Sequence, residues 1–375
     1  MVVTTSATRI EILEQLLNCP VQDWNTLQNI YLSGRNITLL PPEVDRWSSA
    51  THIHLHDNRL ASLPDAVSGW TSATVIHLDG NRLTSLPDAV RSWTSATHIH
   101  LHDNRLASLP DAVSGWTSAT VIYLHGNQLT LLPDGVKGWS SATHIHLDGN
   151  QLTSLPDAVK EWTSATDIFL YRNQLTLLPD AVSGWTSATY IYIHDNQLTS
   201  LPDTVHTWTS ATHISLYSNQ LTLLPDAVSG WSSATRIYLR GNQLTTLPDS
   251  VKGWSSATDI SLDGNQLTSL PNGVSGWTSA TNIYLNGNPI LFVDDNLCDK
   301  CVNKYNHKDL FFSLKNKKKI QNRYACKIQQ IYRRHNEKRN NAAVIIQRAY
   351  IDHFYRVYGP WYNKTLQTYL TFKSY

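Results

Sequence analysis

The sequence predicts an α/β solenoid, in which twelve short coils of one design stack into a continuous body. Three observations carry that prediction. Twelve of the 13 tryptophans recur every 23 residues, from Trp24 and Trp47 through to Trp277. Each heads a unit of the form WTSATVIHLDGNRLTSLPDAVRS, the one that starts at Trp70. Each unit also carries a short stretch in which apolar and polar residues alternate, the mark of a strand with one buried face. Units of this length cannot bury an apolar face alone and do so by stacking on their neighbours.

The elements follow in chain order. A solenoid exposes core at both ends and needs lids. Thr8-x-x-Glu11 has the form of a capping box, and Ile10, Leu13, Leu16 and Leu17 follow at helical spacing, so residues 1–20 are expected to supply a capping helix at about 8–18. In the unit Thr51-His52-Ile53-His54-Leu55-His56, Ile53 and Leu55 are expected to point inward and the histidines outward. Asn58 follows at the turn, where a buried amide can satisfy unpaired backbone groups, and its equivalents run from Asn81 to Asn288. The first unit departs, with Arg35 at this position and Asn36 one residue later, so the ladder should start imperfectly. Leu60 and Leu63 again point inward. Pro64-Asp65 then starts a helical turn that puts Val67 and Trp70 on one face. Past Asn288, the segment 291–314 leaves the repeat and is expected to act as the C-terminal cap or linker.

The run Ile53-x-Leu55-x-x-Asn58-x-Leu60-x-x-Leu63-Pro64 resembles the leucine-rich-repeat family, over residues 21–290 and twelve times over. The resemblance implies a curved, right-handed superhelix with a parallel sheet on its concave side and irregular or helical arcs on its convex side. Trp70 and Ala73 stand where that family has two leucines; a large and a small residue can conserve the summed core volume.

Comparing the twelve units locates the expected recognition surface. Residues 49–76 are identical to 95–122, so blocks of two units have been copied. Near-identical units carry a folding hazard, because wrong neighbours can stack almost as well as right ones. Inward positions barely change, whereas outward strand positions change most. At about 4.8 Å per strand the outward residues form a grid about 55 Å long. Within it, His52, His54, His77, His98, His100, Tyr123, His146, Phe169, Tyr190, Tyr192, Arg236, Tyr238 and Tyr284 are expected to contact a protein partner. Aromatic, His and Arg side chains suit an interface, and free drift would also have added Lys, Glu and Ser. The variation at Ser68-Gly69, Arg91-Ser92 and Lys160-Glu161 reads as ordinary surface change. Twelve of the 16 histidines fall on outward strand positions. Duplication of a His-rich unit explains them without a ligand; the alternative is a metal- or pH-responsive binder, with His52, His54, His98 and His100 as metal candidates.

The C-terminal part differs in charge. Residues 291–375 carry 17 Lys and Arg against 6 Asp and Glu, whereas residues 1–290 carry 13 against 23. Residues 315–375 are expected to form a basic helical tail. Ile328, Gln329, Arg333 and Lys338 resemble an IQ motif, and Ile346, Gln347 and Arg356 a weaker second copy; Arg334 and Asp352 replace the glycines of that pattern. The resemblance implies a calmodulin-like protein as a second partner. Docking on the acidic solenoid, and nucleic-acid binding through the run Lys315 to Lys319, stay open, although no nucleic-acid motif accompanies the charge. Cys298-x-x-Cys301 with His307 and Cys326 matches no zinc pattern.

Composition narrows the function classes. No stretch approaches the ~18 apolar residues of a membrane span, and the N-terminus has no secretory core. Four scattered cysteines suggest a reducing, intracellular and cytoplasmic setting. No phosphate-binding glycine loop, nucleophile elbow or carboxylate pair interrupts the array. The expected protein is therefore a monomeric, non-enzymatic interaction scaffold without a cofactor.

Overall fold

The computed structural model describes residues 6–290 and two short strands beyond them, Phe292–Val293 and Phe312–Ser313, which pair in parallel. The chain divides into two units, 1–288 and 289–375. The first holds a single sheet of twelve three-residue strands in strict sequence order. Strand β1 is Asn29–Tyr31, β2 is His52–His54, and one strand follows per coil to β12 at Asn282–Tyr284. All neighbours are parallel, and each residue pairs with its counterpart 23 positions along, as Ile53 with Ile76.

Alternation sorts the faces as the sequence predicts. The central isoleucine of every strand is buried and the flanking residues are more open. Beyond each strand, Leu60 and Leu63 and their equivalents turn inward. From the coil of β2 to that of the eleventh strand the chain then makes a five-residue 3-10 turn per coil, such as Asp65–Gly69, with Pro64 as its N-cap. A 3-10 helix has three residues per turn, so Val67 and Trp70 eclipse one another and both are fully buried.

Three hydrogen-bonded ladders tie the coils together. Asn150 donates through Nδ2 to the carbonyls of Leu124 and Leu147, both at 3.0 Å, while its Oδ1 accepts from the Leu129 amide at 3.0 Å. Each threonine preceding a strand, from Thr74 to Thr281, donates its hydroxyl to the threonine carbonyl of the previous coil, as Thr74 to Thr51 at 3.0 Å. The third ladder was hidden in the sequence. Each indole N–H from Trp70 to Trp277 donates to a valine carbonyl of the coil before, Trp162 to Val136 at 3.2 Å. Tryptophan thus fills volume beside alanine and also satisfies a backbone group that leucine could not.

The coils fan apart from one side to the other. Outward rings on successive strands lie 4.1–5.1 Å apart from Tyr31 to Tyr192, whereas the tryptophan rings lie 5.7–6.2 Å apart. The strand side is the shorter one, so the sheet lines the inside of the bend.

Two local features lay beyond the sequence reading. The residue just before each ladder asparagine has φ between 52° and 73°. Gly149 meets this demand without strain, but Asp57, Arg172 and Ser218 adopt it as well. The change at Lys160-Glu161 and its relatives is not free surface variation throughout: a Cβ on Gly184 would run into the backbone carbonyl of Lys160. Close approach of adjacent coils therefore selects glycine there.

The N-terminal helix spans Ser6–Leu17, so Thr8 falls inside it and the expected capping box does not mark its start. Leu13 is 2% exposed, but Leu16 faces outward, and Ile10 and Leu17 are half-buried. One line of the helix, not a broad face, touches the first coil. Glu14 Oε1 accepts from the Val21 amide at 2.7 Å and links the helix to the 3-10 segment Val21–Thr26. The ladders start imperfectly, as expected from Arg35: Asn58 serves the first turn by accepting from the Arg35 and Ile37 amides. The Trp47 indole N–H is buried without a partner. The expected cap at 291–314 and the tail fall outside the described residues, apart from the two short strands.

Candidate functional site

The outward face of the sheet carries three rows of side chains, fixed by the 23-residue register. The middle row takes the central position of the site. Tyr31, His54, His77, His100, Tyr123, His146, Phe169 and Tyr192 follow one another in unbroken ring contact, with His77 and His100 stacked at 4.1 Å. Most of these rings meet near face to face, with His54 and His77 edge-on at 78°, and the contacts bury much of each ring. Tyr31, at the open end, is 63% exposed. The row stops at Ser215, which is 3% exposed beneath its neighbours, and Ser261 interrupts it again. Tyr238 and Tyr284 therefore stand apart from the stack, each beside a serine in the register.

The leading row holds His52, His98, Tyr190 and Arg236. Tyr190 packs against His213 at 4.7 Å. His52 and His98 lie two strands apart with Val75 between them, so they do not join into one site. Each is held by the threonine before it, at 2.9 Å from Nδ1. That hydroxyl donates to a backbone carbonyl, so towards the ring it accepts from Nδ1–H.

The third row is where sequence reasoning stopped short. His56, Asp79, His102, His125, Asp148, Tyr171, His194 and Tyr217 form it; the histidines and the nearby Asp79 and Asp148 are visible in the sequence, but not that they share one row with Tyr171 and Tyr217. Cross-coil bonds continue past the three-residue strands, as from the Asp57 amide to the Asp79 carbonyl at 3.0 Å, so this position is as ordered as the others. Tyr171, His194 and Tyr217 stack at 4.6 and 4.1 Å, and His102 stacks on His125 at 4.4 Å. The signal was present in the period of two, which runs on through Leu55 to His56.

Stacking has an electrostatic consequence. Burial, followed by repulsion from neighbouring imidazoles, lowers His77 to about 4 and His100 to about 3. Burial also lowers His146 and His194 to about 4. These rings stay neutral through pH 5–7. The unfolded chain titrates near 6.5 instead and takes up protons first. Stability is therefore fully present above about pH 6.5 and is lost as the pH falls towards 4. Linkage allows about 1.4 kcal/mol per pH unit for each group, roughly halved because the rings are only half-buried. Thermal unfolding should show Tm falling between pH 7 and 5, and His100→Tyr, the residue that Tyr123 supplies to the same row, should flatten that slope. An unchanged Tm across this range would contradict the neutral stack.

Four groups of side chains have metal-ligand composition: His54–His56–His77, His77–Asp79–His100, His102–Asp103–His125 and His125–His146–Asp148. Of the four metal candidates read from sequence, His54 and His100 fall in these groups, while His52 and His98 do not.

The tail residues Ile328, Gln329, Arg333, Lys338, Ile346, Gln347 and Arg356 lie outside the described residues. Among the described residues no helix is long and apolar enough to cross a membrane.

The chain matches no protein-family profile and no curated protein. Many solved structures share its fold. A leucine-rich-repeat protein of Leptospira interrogans is 25% identical over 71% of this chain and 80% of that one, with a TM-score of 0.47. The plant peptide hormone receptor RGFR1, in complex with RGF2, is 21% identical with a TM-score of 0.65; the match covers 79% of this chain but 48% of the receptor, so this chain spans about half of that length. An internalin of Listeria monocytogenes is 15% identical with a TM-score of 0.56, over 80% of this chain and 93% of that one. The solenoid has the curved leucine-rich-repeat fold.

Proposed function

We propose that the protein is a non-enzymatic scaffold whose concave sheet holds a protein partner along the aromatic middle row. The observation that carries this reading is the unbroken run of eight rings from Tyr31 to Tyr192, half-covered by one another and lining the inside of the bend. Rigid aromatic side chains give large contact area at small entropic cost, and they dominate interface energetics. The plant receptor of the same fold, in complex with RGF2, supports the reading by analogy of architecture. The scarce, scattered cysteines support a reducing, intracellular setting for this scaffold.

Affinity capture with the full chain tests this directly. Serine already occupies the row at Ser215 and Ser261, so the triple variant His100→Ser, Tyr123→Ser, His146→Ser should fold. It is expected to lose the captured partner by about 30-fold or more, the effect of removing a hot spot of about 2 kcal/mol. The convex variant Lys160→Ser should retain it. Equal capture by the concave variant and the native chain would end the proposal.

On sequence grounds alone, the basic tail adds a contact for a calmodulin-like protein through Ile328, Gln329, Arg333 and Lys338. Passage of the full chain through an immobilised calmodulin column, with calcium and with chelator alike, would remove this part of the reading.

A further inference from the structure

We infer that His125, His146 and Asp148 form a binding site for one borderline divalent transition-metal ion, of which zinc is the type, in the middle of the concave sheet. One nitrogen of each imidazole and a carboxylate oxygen lie within 4.8 Å of one another, close enough to converge on a single ion. His125 lies just beyond strand Val121–Tyr123, and His146 and Asp148 lie at the end of, and just beyond, strand His144–His146, so adjacent coils hold all three.

Burial of its carboxylate sets this group apart, while orphaned atoms mark the neighbouring groups as well, at Asp79 Oδ1, His100 Nε2 and His102 Nδ1. Asp148 is 8% exposed, the most buried carboxylate among the described residues. No lysine or arginine of the described residues forms an ion pair with it; the ion pairs found there are His102 with Asp79 and His144 with Asp167. Arg172 attracts it only from beyond ion-pair distance, and a carboxylate withdrawn from water without a paired cation is costly. Beside it, His125 Nδ1 and His146 Nε2 are buried with no hydrogen-bond partner on the protein. A cation would satisfy all three at once. Burial holds both imidazoles below their ordinary pKa, so each offers a lone pair at neutral pH.

Ring geometry decides between this group and its neighbours. A lone pair lies in the plane of its imidazole. The His125 and His146 rings are inclined at 53°, so their planes intersect. His102 and His125 are inclined at 15°, and His77 and His100 at 13°; near-parallel stacked rings cannot aim at one point without rotating. The rings of His54, His56 and His77 are well inclined, but the group lacks a carboxylate and has no buried orphan nitrogen. An outer contact completes the preferred site. Tyr171 neighbours Asp148 along the row and acts on it; its own pKa rises to about 12, through burial first and then that carboxylate. Such contacts orient a ligating oxygen. Imidazole nitrogens beside one carboxylate favour zinc-like ions over calcium or magnesium, which want oxygen alone.

The test is titration of the full chain with zinc at pH 7.5, by calorimetry and by metal-dependent Tm, with cobalt as a spectroscopic stand-in. The native chain should take up an equivalent of zinc and gain Tm. His146→Phe keeps a ring in the row, as Phe169 does, and Asp148→Asn keeps the shape of the carboxylate; each should weaken that equivalent by at least about tenfold. Tyr171→Phe should weaken it less. Metal-free Tm values near native would show that the variants fold. Titrations of both variants that superimpose on the native curve, or a loss that follows His54→Ser instead, would overturn the site.

Discussion

Trp162→Ala is expected to destabilise the solenoid by about 5 kcal/mol and to break its unfolding into two steps. Trp162 is fully buried between Trp139 and Trp185, at 5.9 and 6.2 Å and nearly parallel to both. Truncating a buried aromatic to alanine costs about 3–5 kcal/mol through lost transfer energy and the remaining cavity. The Val136 carbonyl would also lose its indole donor, and a buried acceptor left unpaired adds about 1–3 kcal/mol. The damage stays local, because each strand pairs only with its immediate neighbours. A linear array weakened in the middle can unfold on one side of the break first. Urea unfolding followed by circular dichroism should show an earlier midpoint and a shallower apparent slope. A single steep transition displaced by less than about 2 kcal/mol would mean that neighbouring coils close over the gap. Trp162→Phe should fall between, since it keeps most of the volume and loses the bond.

Asn150→Ala should cost about 3–6 kcal/mol, from three buried backbone groups deprived of partners at about 1–3 kcal/mol each, less relaxation. The carbonyls of Leu124 and Leu147 lose a donor and the Leu129 amide an acceptor, each now at 3.0 Å. Asn150→Asp provides the sharper comparison. It has the same shape, but at pH 7 it presents a carboxylate, which only accepts, to two carbonyls. Aspartate should therefore be at least as damaging as alanine despite its better fit. If aspartate proved milder in a Tm comparison, shape and not hydrogen bonding would be the main role of the ladder.

Much of this architecture is legible in the residues. A period of 23 sets the register, and a period of two within it assigns Ile53 and Leu55 to the interior and His54 to the outer face. The turn role of Asn58 follows from the number of backbone groups a turn leaves unpaired. Other features depend on geometry that a pattern does not carry. Nothing in the spacing separates a 3-10 arc from an α-helical turn over five residues. Arg172 and Ser218 hide a left-handed backbone that glycine would have announced. Gly184 seemed a free surface position because the neighbouring coil that demands it is 23 residues away. At the site, the middle row could be read in advance. The meeting of His125, His146 and Asp148 could not, because it depends on ring inclination and on how deeply Asp148 sinks between coils. The N-terminal helix spans Ser6–Leu17, and its inward line is narrower than the spacing of its apolar residues implies, since it buries Leu13 and leaves Leu16 outside.

The direction of the asparagine bonds bears on how the protein is made. The Leu55 carbonyl accepts from Asn58 of its own coil and from Asn81, 26 residues downstream, and the Leu60 amide donates to that same downstream side chain. No coil can finish its own turn; the next one does it. During synthesis the growing chain therefore carries one unfinished edge, and the first segment to reach that edge is the rightful one. Order of emergence from the ribosome can thus keep in register a set of coils that are too alike to recognise their places by sequence.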